Sequence, residues 1–170
     1  MQIPDAYRKK IDPLVIHARN LLESGERLSA LAFIGSLVRD DMLPVVVDDR
    51  SEESKDRSAR TIQVAAAATQ ADFIFMVREA WQLSQKYATR YQEILDKYGS
   101  IGGSPYAEDV AAFSLETTHG TWVAMPFIKA KPPSKKRRTI GTVEFTHMPE
   151  IQGRFVGLLP AKKNDGGTLH

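Results

Sequence analysis

The densest positive charge in the chain lies between residues 129 and 138. Six basic residues occur there without an acidic one: Lys129, Lys131, Lys135, Lys136, Arg137 and Arg138. Such a cluster can contact the phosphates of a nucleic acid or the carboxylates of an acidic protein. No aromatic residue lies within the stretch to stack on a base. Pro132 and Pro133 stiffen it, so a long exposed hairpin loop kept soluble by its charge is the alternative interpretation.

A second group of candidate residues follows the most apolar run of the chain, Phe73–Val77. Its members could line a small polar cleft, and they are Arg78, Glu79 and Trp81. Glu116 is the carboxylate that could cooperate with Glu79. If their strands are antiparallel neighbours, Glu79 lies near Phe113, and the two carboxylates are about 10 Å apart. This separation is long for a glycosidase pair, so ion pairing at the sheet rim is the favoured interpretation.

Motifs of known catalytic sites are missing from the sequence. It contains no Gly-x-Ser-x-Gly elbow, no His-Glu-x-x-His and no dinucleotide fingerprint, and the glycines of the loop 99–107 are not followed by a phosphate-binding lysine. There is no cysteine, which excludes thiolate nucleophiles and cysteine-ligated zinc. The four histidines are scattered, and packing or solvated roles are favoured for His17, His119 and His147. We therefore predict no catalytic residue, no metal ligand and no cofactor.

Composition and charge set few limits on function. The chain has 170 residues, a net charge of +2 and 42% hydrophobic residues. A charge this small does not require a nucleic-acid partner, so any electrostatic function depends on local clustering. No secretory signal and no apolar stretch of membrane-spanning length is apparent, which predicts a cytoplasmic protein that does not bind a membrane. We expect one domain over residues 1–159 and a flexible tail over 160–170.

Apolar periodicity predicts an α+β fold with a mixed, mostly antiparallel sheet of five to six strands and three helices. The predicted elements before the last third of the chain are a helix over Pro4–Glu23 with a break at Asp12-Pro13, a hairpin of Leu28–Val38 and Leu43–Val47, a helix from Ser51 to about Thr69, a central strand over Asp72–Gln82 and a helix over Gln85–Tyr98. The run Phe73–Val77 is apolar on every side, which favours a strand buried on both faces. The alternative is one long helix from about Ser58 to Tyr98, because apolar residues also recur there at heptad spacing.

A three-strand meander is predicted to end the fold. Its strands are Val110–Thr117, Thr121–Lys129 and Thr139–His147, and Gly153–Leu159 can add a short strand. A three-residue loop, Thr118–Gly120, would pair Thr117 with Thr121. Leu115 then faces Val123, Phe113 faces Met125, and Phe145 and Val143 lie opposite Met125 and Phe127. In this register one face is apolar, and the other carries Trp122, Pro126, Glu116 and Glu144.

The predicted outer face of the meander gives the first functional hypothesis. Tryptophan and proline on a solvent-facing surface indicate a docking partner. We predict a non-enzymatic binding or accessory protein, such as a bacterial or phage inhibitor or regulator, that contacts a second copy or another protein through Trp122, Pro126, Glu116 and Glu144. Binding of nucleic acid or an acidic partner through residues 129–138 is one alternative. A small hydrolase with a cleft around Glu79 is the other.

Overall fold

A computed structural model describes residues 1–151 and 153–160. The helices of this part of the chain are α1 (Asp5–Glu23), α2 (Glu52–Thr69), a 3-10 helix (Gln85–Arg90) and α3 (Tyr91–Tyr98). The strands are β1 (Leu31–Gly35), β2 (Met42–Val46), β3 (Phe73–Leu83), β4 (Ala107–Thr117), β5 (Gly120–Ala124), β6 (Ile128–Ala130), β7 (Arg138–Ile140) and β8 (Thr146–His147). The tail predicted over 160–170 lies outside the described residues, apart from Pro160.

Six strands form one antiparallel sheet in the order β2-β1-β3-β4-β5-β8, and β6 pairs with β7 in a second, two-stranded sheet. This confirms the predicted α+β class with a mostly antiparallel sheet. The long-helix alternative for residues 58–98 is wrong, because Phe73–Leu83 is a strand with neighbours on both sides. Pro44 lies in the edge strand β2, where its missing N–H costs no ladder hydrogen bond to a further strand.

Helices cover both faces of the sheet, which explains the uninterrupted apolar run of β3. Phe73, Phe75 and Val77 pack with α1 on one face, in the core that also contains Phe113, Leu115 and Trp122. Ile74 and Met76 point to the opposite face and pack with Ile62 and Ala66 of α2. Alternate side chains of a strand point to opposite faces, so a strand between two helical layers must be apolar at every position.

Helix boundaries agree with the predicted caps in one case and differ in another. The Ser51 side chain accepts a hydrogen bond from the Ser54 N–H in a capping box, as the sequence predicts for α2. The predicted break at Pro13 is wrong, because α1 continues through it. Ile11 and Val15 are buried on either side of Pro13. Their packing against the sheet outweighs the unfavourable effect of an internal proline.

The predicted register of the β4–β5 hairpin is wrong by one residue. Thr117 pairs with Gly120, so the loop has two residues. The Thr117 hydroxyl closes the loop, since it accepts from the His119 N–H and donates to the Gly120 carbonyl, each at 3.0 Å. A shift of one residue turns every side chain of β5 to the other face of the sheet. Trp122 consequently lies opposite Leu115 and is 0% exposed.

The third strand of the predicted meander is divided in two. Ile140 of β7 pairs with Ile128 in the small sheet, and His147 of β8 pairs with Trp122 in the large one. Val143 and Phe145 lie between these strands and not opposite Phe127 and Met125. The chain still follows β4 just beyond β5, since the Ala111 N–H donates to the Pro126 carbonyl at 3.0 Å and Phe127 forms a bridge with Val110. The strand expected over 153–159 is also absent from the described residues, which form bends and turns there.

Candidate functional site: a basic hairpin beside an exposed tryptophan

The basic stretch forms an ordered hairpin. Lys129 pairs with Thr139 and Ala130 with Arg138. The Lys131 N–H donates to the Arg137 carbonyl at 3.0 Å, which closes the loop. Within the loop the Ser134 hydroxyl oxygen accepts from the backbone N–H groups of Lys136 and Arg137 at 3.2 and 3.0 Å. These bonds hold the backbone at the hairpin tip in a defined shape.

Glu79 of β3 anchors the base of this hairpin. The Arg138 guanidinium donates to both carboxylate oxygens, with distances of 2.8 and 3.2 Å, and each side chain is 18% exposed. Glu79 also accepts from the Leu28 N–H at 2.9 Å and lies 3.6 Å from Arg27. Burial alone would raise the pKa of Glu79, but the hydrogen bonds from Arg138 and Leu28 and the nearby positive charges hold this pKa below its usual value. The arrangement is a structural ion pair, which was the favoured interpretation of Glu79.

The six predicted basic residues divide into two groups. Arg138 binds Glu79, and Lys131 lies 4.0 Å from the Glu23 carboxylate, which also accepts from the Thr139 hydroxyl at 2.8 Å. The other four are exposed and have no ion-pair partner within the described part of the chain: Lys129, Lys135, Lys136 and Arg137. Two cations therefore fix the hairpin to the domain, and four are presented to solvent.

The carboxylate pair considered for a cleft does not form. Glu79 lies opposite Ala111, and Glu116 lies opposite Ile74, so five positions separate them along the strands. They also point to opposite faces of the sheet, because Glu79 follows the register of Val77 and Glu116 that of Ile74. Burial raises the pKa of Glu116, and backbone N–H groups of residues 157–159 oppose this effect. Glu79 was predicted to lie near Phe113, and this prediction is wrong by two residues because Glu79 pairs with Ala111.

The four residues of the predicted partner-binding face do not share a surface. Trp122 lies in the core, where its indole N–H donates to the Met1 carbonyl at 3.0 Å. Glu116 is on the other face of the sheet and accepts from the Leu158 N–H at 3.2 Å. Pro126 is half-buried, and Glu144 is exposed in the segment between β7 and β8. The register shift explains this outcome, because it exchanges the two faces of β5.

Trp81 is the aromatic residue that the basic stretch itself lacks. It is 63% exposed and lies on the same face of β3 as Glu79, two residues further along. Its register partner is Asp109. The hydrogen bond with Glu79 is the main cause of the raised pKa of Arg138, and the negative charges of Glu79 and Asp109 add to it. The tryptophan is therefore close to the base of the hairpin. Sequence reasoning placed Trp81 in a cleft with Glu79 but did not connect it to the basic residues.

Arg78 belongs to a different part of the surface. It points to the face opposite Glu79 and lines a cavity of about 280 Å³ with Met125, Arg154 and Phe155. Arg154 is already engaged by Glu52 and by Asp56, the latter at 2.7 Å. A larger cavity of about 520 Å³ lies between α1 and residues 140–145, but its cations also have partners within the protein. Neither cavity brings together the residues predicted from the sequence.

Comparison with known proteins adds no relative: no protein-family model, no curated protein and no solved structure matches the chain. None of the helices in residues 1–151 and 153–160 has the length and apolar character needed to cross a membrane. Within the same residues, no group of three or more histidine or acidic side chains is arranged to hold a metal ion. Function must therefore be argued from the geometry of the site alone.

Proposed function

We propose that this is a non-enzymatic binding protein whose β6–β7 hairpin contacts the phosphates of a nucleic acid. One observation carries the proposal: four exposed cations project from an ordered hairpin and have no acidic partner within the described residues. Preorganised cations lose less conformational entropy on binding than cations on a mobile loop, which favours a polyanionic ligand.

This proposal differs from the first hypothesis made from the sequence, which was a protein interface on the outer face of the meander. The protein interface was argued from an exposed Trp122, and that side chain is buried. The hydrolase was argued from a cleft around Glu79, and that carboxylate is occupied by Arg138 and Leu28. An acidic protein could still use the same hairpin cations, and it is the alternative outcome of the experiment below. A cytoplasmic location and a bacterial or phage origin stay predictions.

Salt dependence of oligonucleotide binding tests the proposal. Four phosphate contacts give a slope of log K against log salt of about −2.8 to −3.6, so raising the salt from about 50 to about 200 mM weakens binding about 50- to 150-fold. Fluorescence anisotropy with a labelled oligonucleotide measures this slope. The triple variant Lys135→Gln, Lys136→Gln, Arg137→Gln should reduce its magnitude by about 2 to 3.

A matched variant separates the hairpin from overall charge. Lys9, Arg57 and Arg60 are exposed on α1 and α2, and their replacement by glutamine removes the same charge. This control should keep most of the affinity and the slope. Equal losses in the two triple variants would show that binding depends on net charge and not on the hairpin. Hairpin-dependent binding to polyglutamate without binding to any oligonucleotide would instead indicate an acidic protein partner.

A further inference from the structure

Trp81 differs sharply from the other tryptophan of this protein in its exposure. The other tryptophan, Trp122, is completely buried, whereas Trp81 is 63% exposed near the end of strand β3. Burying an indole would be strongly favourable, so an indole left in solvent at a fixed position needs an explanation. Isolated apolar residues are common on surfaces, and exposure alone therefore proves nothing. Trp81 differs from an isolated exposed residue because backbone supports one side of its ring and charged side chains lie beside it.

The indole is supported on one side by the glycine-rich loop. A Cβ atom added to Gly102 would lie 2.8 Å from Cε3 and 2.9 Å from Cδ2 of Trp81. The ring thus rests on a position where any side chain would collide with it. With one side held against backbone and most of its area exposed, the indole is a fixed, flat platform. Such a platform loses little side-chain entropy when a second flat group stacks on it.

The platform lies beside the cations of the hairpin. Glu79, two residues from Trp81 on the same face of β3, is about 7 Å away along the strand. It holds Arg138 in a two-bond fork and lies near the exposed Arg27. A phosphate chain that follows the hairpin can therefore bring a base to the indole. Carboxylates are also close: Glu79 is balanced by its arginines, whereas the exposed Asp109 and its neighbour Glu108 are unfavourable charges for a phosphate chain.

We infer that Trp81 stacks on an unpaired base next to the basic hairpin, so that the ligand class is single-stranded nucleic acid. This inference rests on the proposed function and specifies its substrate. In a duplex, both faces of a base are already stacked on neighbours, whereas an unpaired base has a free π-face for an aromatic side chain. A cationic surface with aromatic platforms is the usual composition of single-strand binding sites. An acidic peptide gives the indole no comparable partner.

The test compares a single-stranded oligonucleotide with a duplex of the same sequence at one salt concentration. Trp81→Ala should weaken single-strand binding about 5- to 150-fold, which is the range for loss of one base–aromatic stack. The salt slope should not change, because no phosphate contact is lost. Trp81→Phe should restore part of the affinity, since it keeps a smaller ring. Duplex affinity should be the same in all three proteins.

Three further measurements distinguish a loss of stacking from a loss of folding. Thermal melting followed by circular dichroism establishes that each variant is folded as the parent is. Gly102→Ala keeps the tryptophan, but the added Cβ displaces the indole from the backbone that supports it. This variant should therefore bind the single strand more weakly than the parent does, with an unchanged affinity for the duplex. Binding of the parent to a single strand should also change the fluorescence of Trp81, and Trp81→Phe should abolish that change although Trp122 remains.

The outcomes distinguish the inference from the proposed function. If the hairpin variant abolishes oligonucleotide binding but Trp81→Ala leaves the single-strand affinity unchanged, the stacking inference is wrong and the proposed function stands. Equal losses of single-strand and duplex affinity in Trp81→Ala would also refute stacking. If the folded parent binds no oligonucleotide at any salt concentration, both are wrong.

Discussion

The ion pair between Glu79 and Arg138 should stabilise the fold, and Glu79→Gln measures how much. Glutamine has the same shape but offers one acceptor oxygen and no charge. Oε1 of Glu79 now accepts from both Arg138 and Leu28, while Oε2 accepts from Arg138. The substitution removes at least the bond to Oε2 and the charge assistance of the others, and hydrogen bonds to charged groups contribute about 1.5–3 kcal/mol.

Partial exposure lowers this value relative to a fully buried pair. Both side chains are 18% exposed, so the loss should be smaller than the about 3–5 kcal/mol seen when a buried pair is broken. We expect a decrease of about 2 kcal/mol in the free energy of unfolding, which corresponds to about 4–8 °C in Tm for a protein of this size. Urea unfolding followed by circular dichroism gives the free energy directly.

A double-mutant cycle with Arg138→Gln isolates the interaction itself. The two residues are in contact, so their coupling energy should be about 1 kcal/mol or more. Glu93→Gln is the matched control, because Glu93 of α3 forms an exposed pair with Arg90 of the 3-10 helix and should change the stability by less than about 0.5 kcal/mol. If Glu79→Gln is no more destabilising than this control, or if the coupling is zero, Glu79 does not anchor the hairpin.

The direction of the pKa shift adds a pH test of the same pair. The folded-state pKa of Glu79 is below its ordinary value of 4.5. A carboxylate with a lowered pKa contributes stability above its unfolded pKa and loses that contribution as the pH falls through the folded value. The stability difference between parent and Glu79→Gln should therefore be constant near neutral pH and decrease below about pH 4.5.

The remaining predictions concern three positions and one surface charge. Trp122→Ala should cost about 3–5 kcal/mol, because it empties the centre of the core, and a small change in urea unfolding would contradict its burial. Glu116→Gln should be at least as stable as the parent at pH 7, and this difference in stability should disappear in acid. The pKa of Glu116 is raised in the folded protein, so Glu116 contributes stability below its unfolded pKa and loses that contribution as the pH rises through the folded pKa. Gly35→Ala should cost about 1–3 kcal/mol in the same assay, since its Cβ would overlap the Phe73 ring. Asp109→Asn should strengthen oligonucleotide binding at low salt and not at high salt, and an unchanged affinity at both would place Asp109 away from the ligand.

Those parts of the fold that have strong local signals were predictable from the sequence. The run Phe73–Val77 predicts a central strand because a strand buried on both faces is apolar at every position, whereas a helix covered on one side is apolar along one stripe. Ser51 predicts the beginning of α2 because its side chain satisfies a backbone N–H that the helix cannot. The Ser51 cap is formed within a few residues of its signal, whereas the apolar run of β3 is a local signal of packing against two distant helices.

The register of β5 was harder to predict from the sequence, and the error of one residue placed the predicted partner-binding site on the wrong side chains. Gly120 was expected to be the last loop residue but is the first residue of β5, with a φ of +148°. A Cβ at this position would lie 2.7 Å from the His147 ring, so the glycine is also required by a strand that follows it by more than twenty positions. Loops of two and three residues both suit a glycine here, and only the distant contact decides between them. The prediction of a three-residue loop exchanged the buried and exposed faces of β5 and so placed Trp122 on the surface, whereas it lies in the core.

The candidate site combines a local signal with a distant one, which is why only half of it was evident. The cations of the hairpin are adjacent in sequence, so their density is visible in a short window. Trp81 is more than fifty positions from Arg138, and the pairing of Glu79 with Arg138 helps to bring the two regions together. A search for aromatic residues within the basic stretch could not find it. Glu79, which first suggested an enzyme, is the link between the two halves of the site.

The glycine-rich loop acquires a different role from the one that its composition suggests. Glycines before a helix indicate phosphate binding only when a lysine and a helix N-terminus follow, and neither follows Gly102 here. Gly102 instead leaves room for the indole of Trp81. If the ligand is single-stranded nucleic acid, the loop acts on a base through the tryptophan and the hairpin acts on the phosphates. The two elements then contribute separable parts of the affinity, one insensitive to salt and one sensitive to it, so their variants should have additive effects on binding free energy.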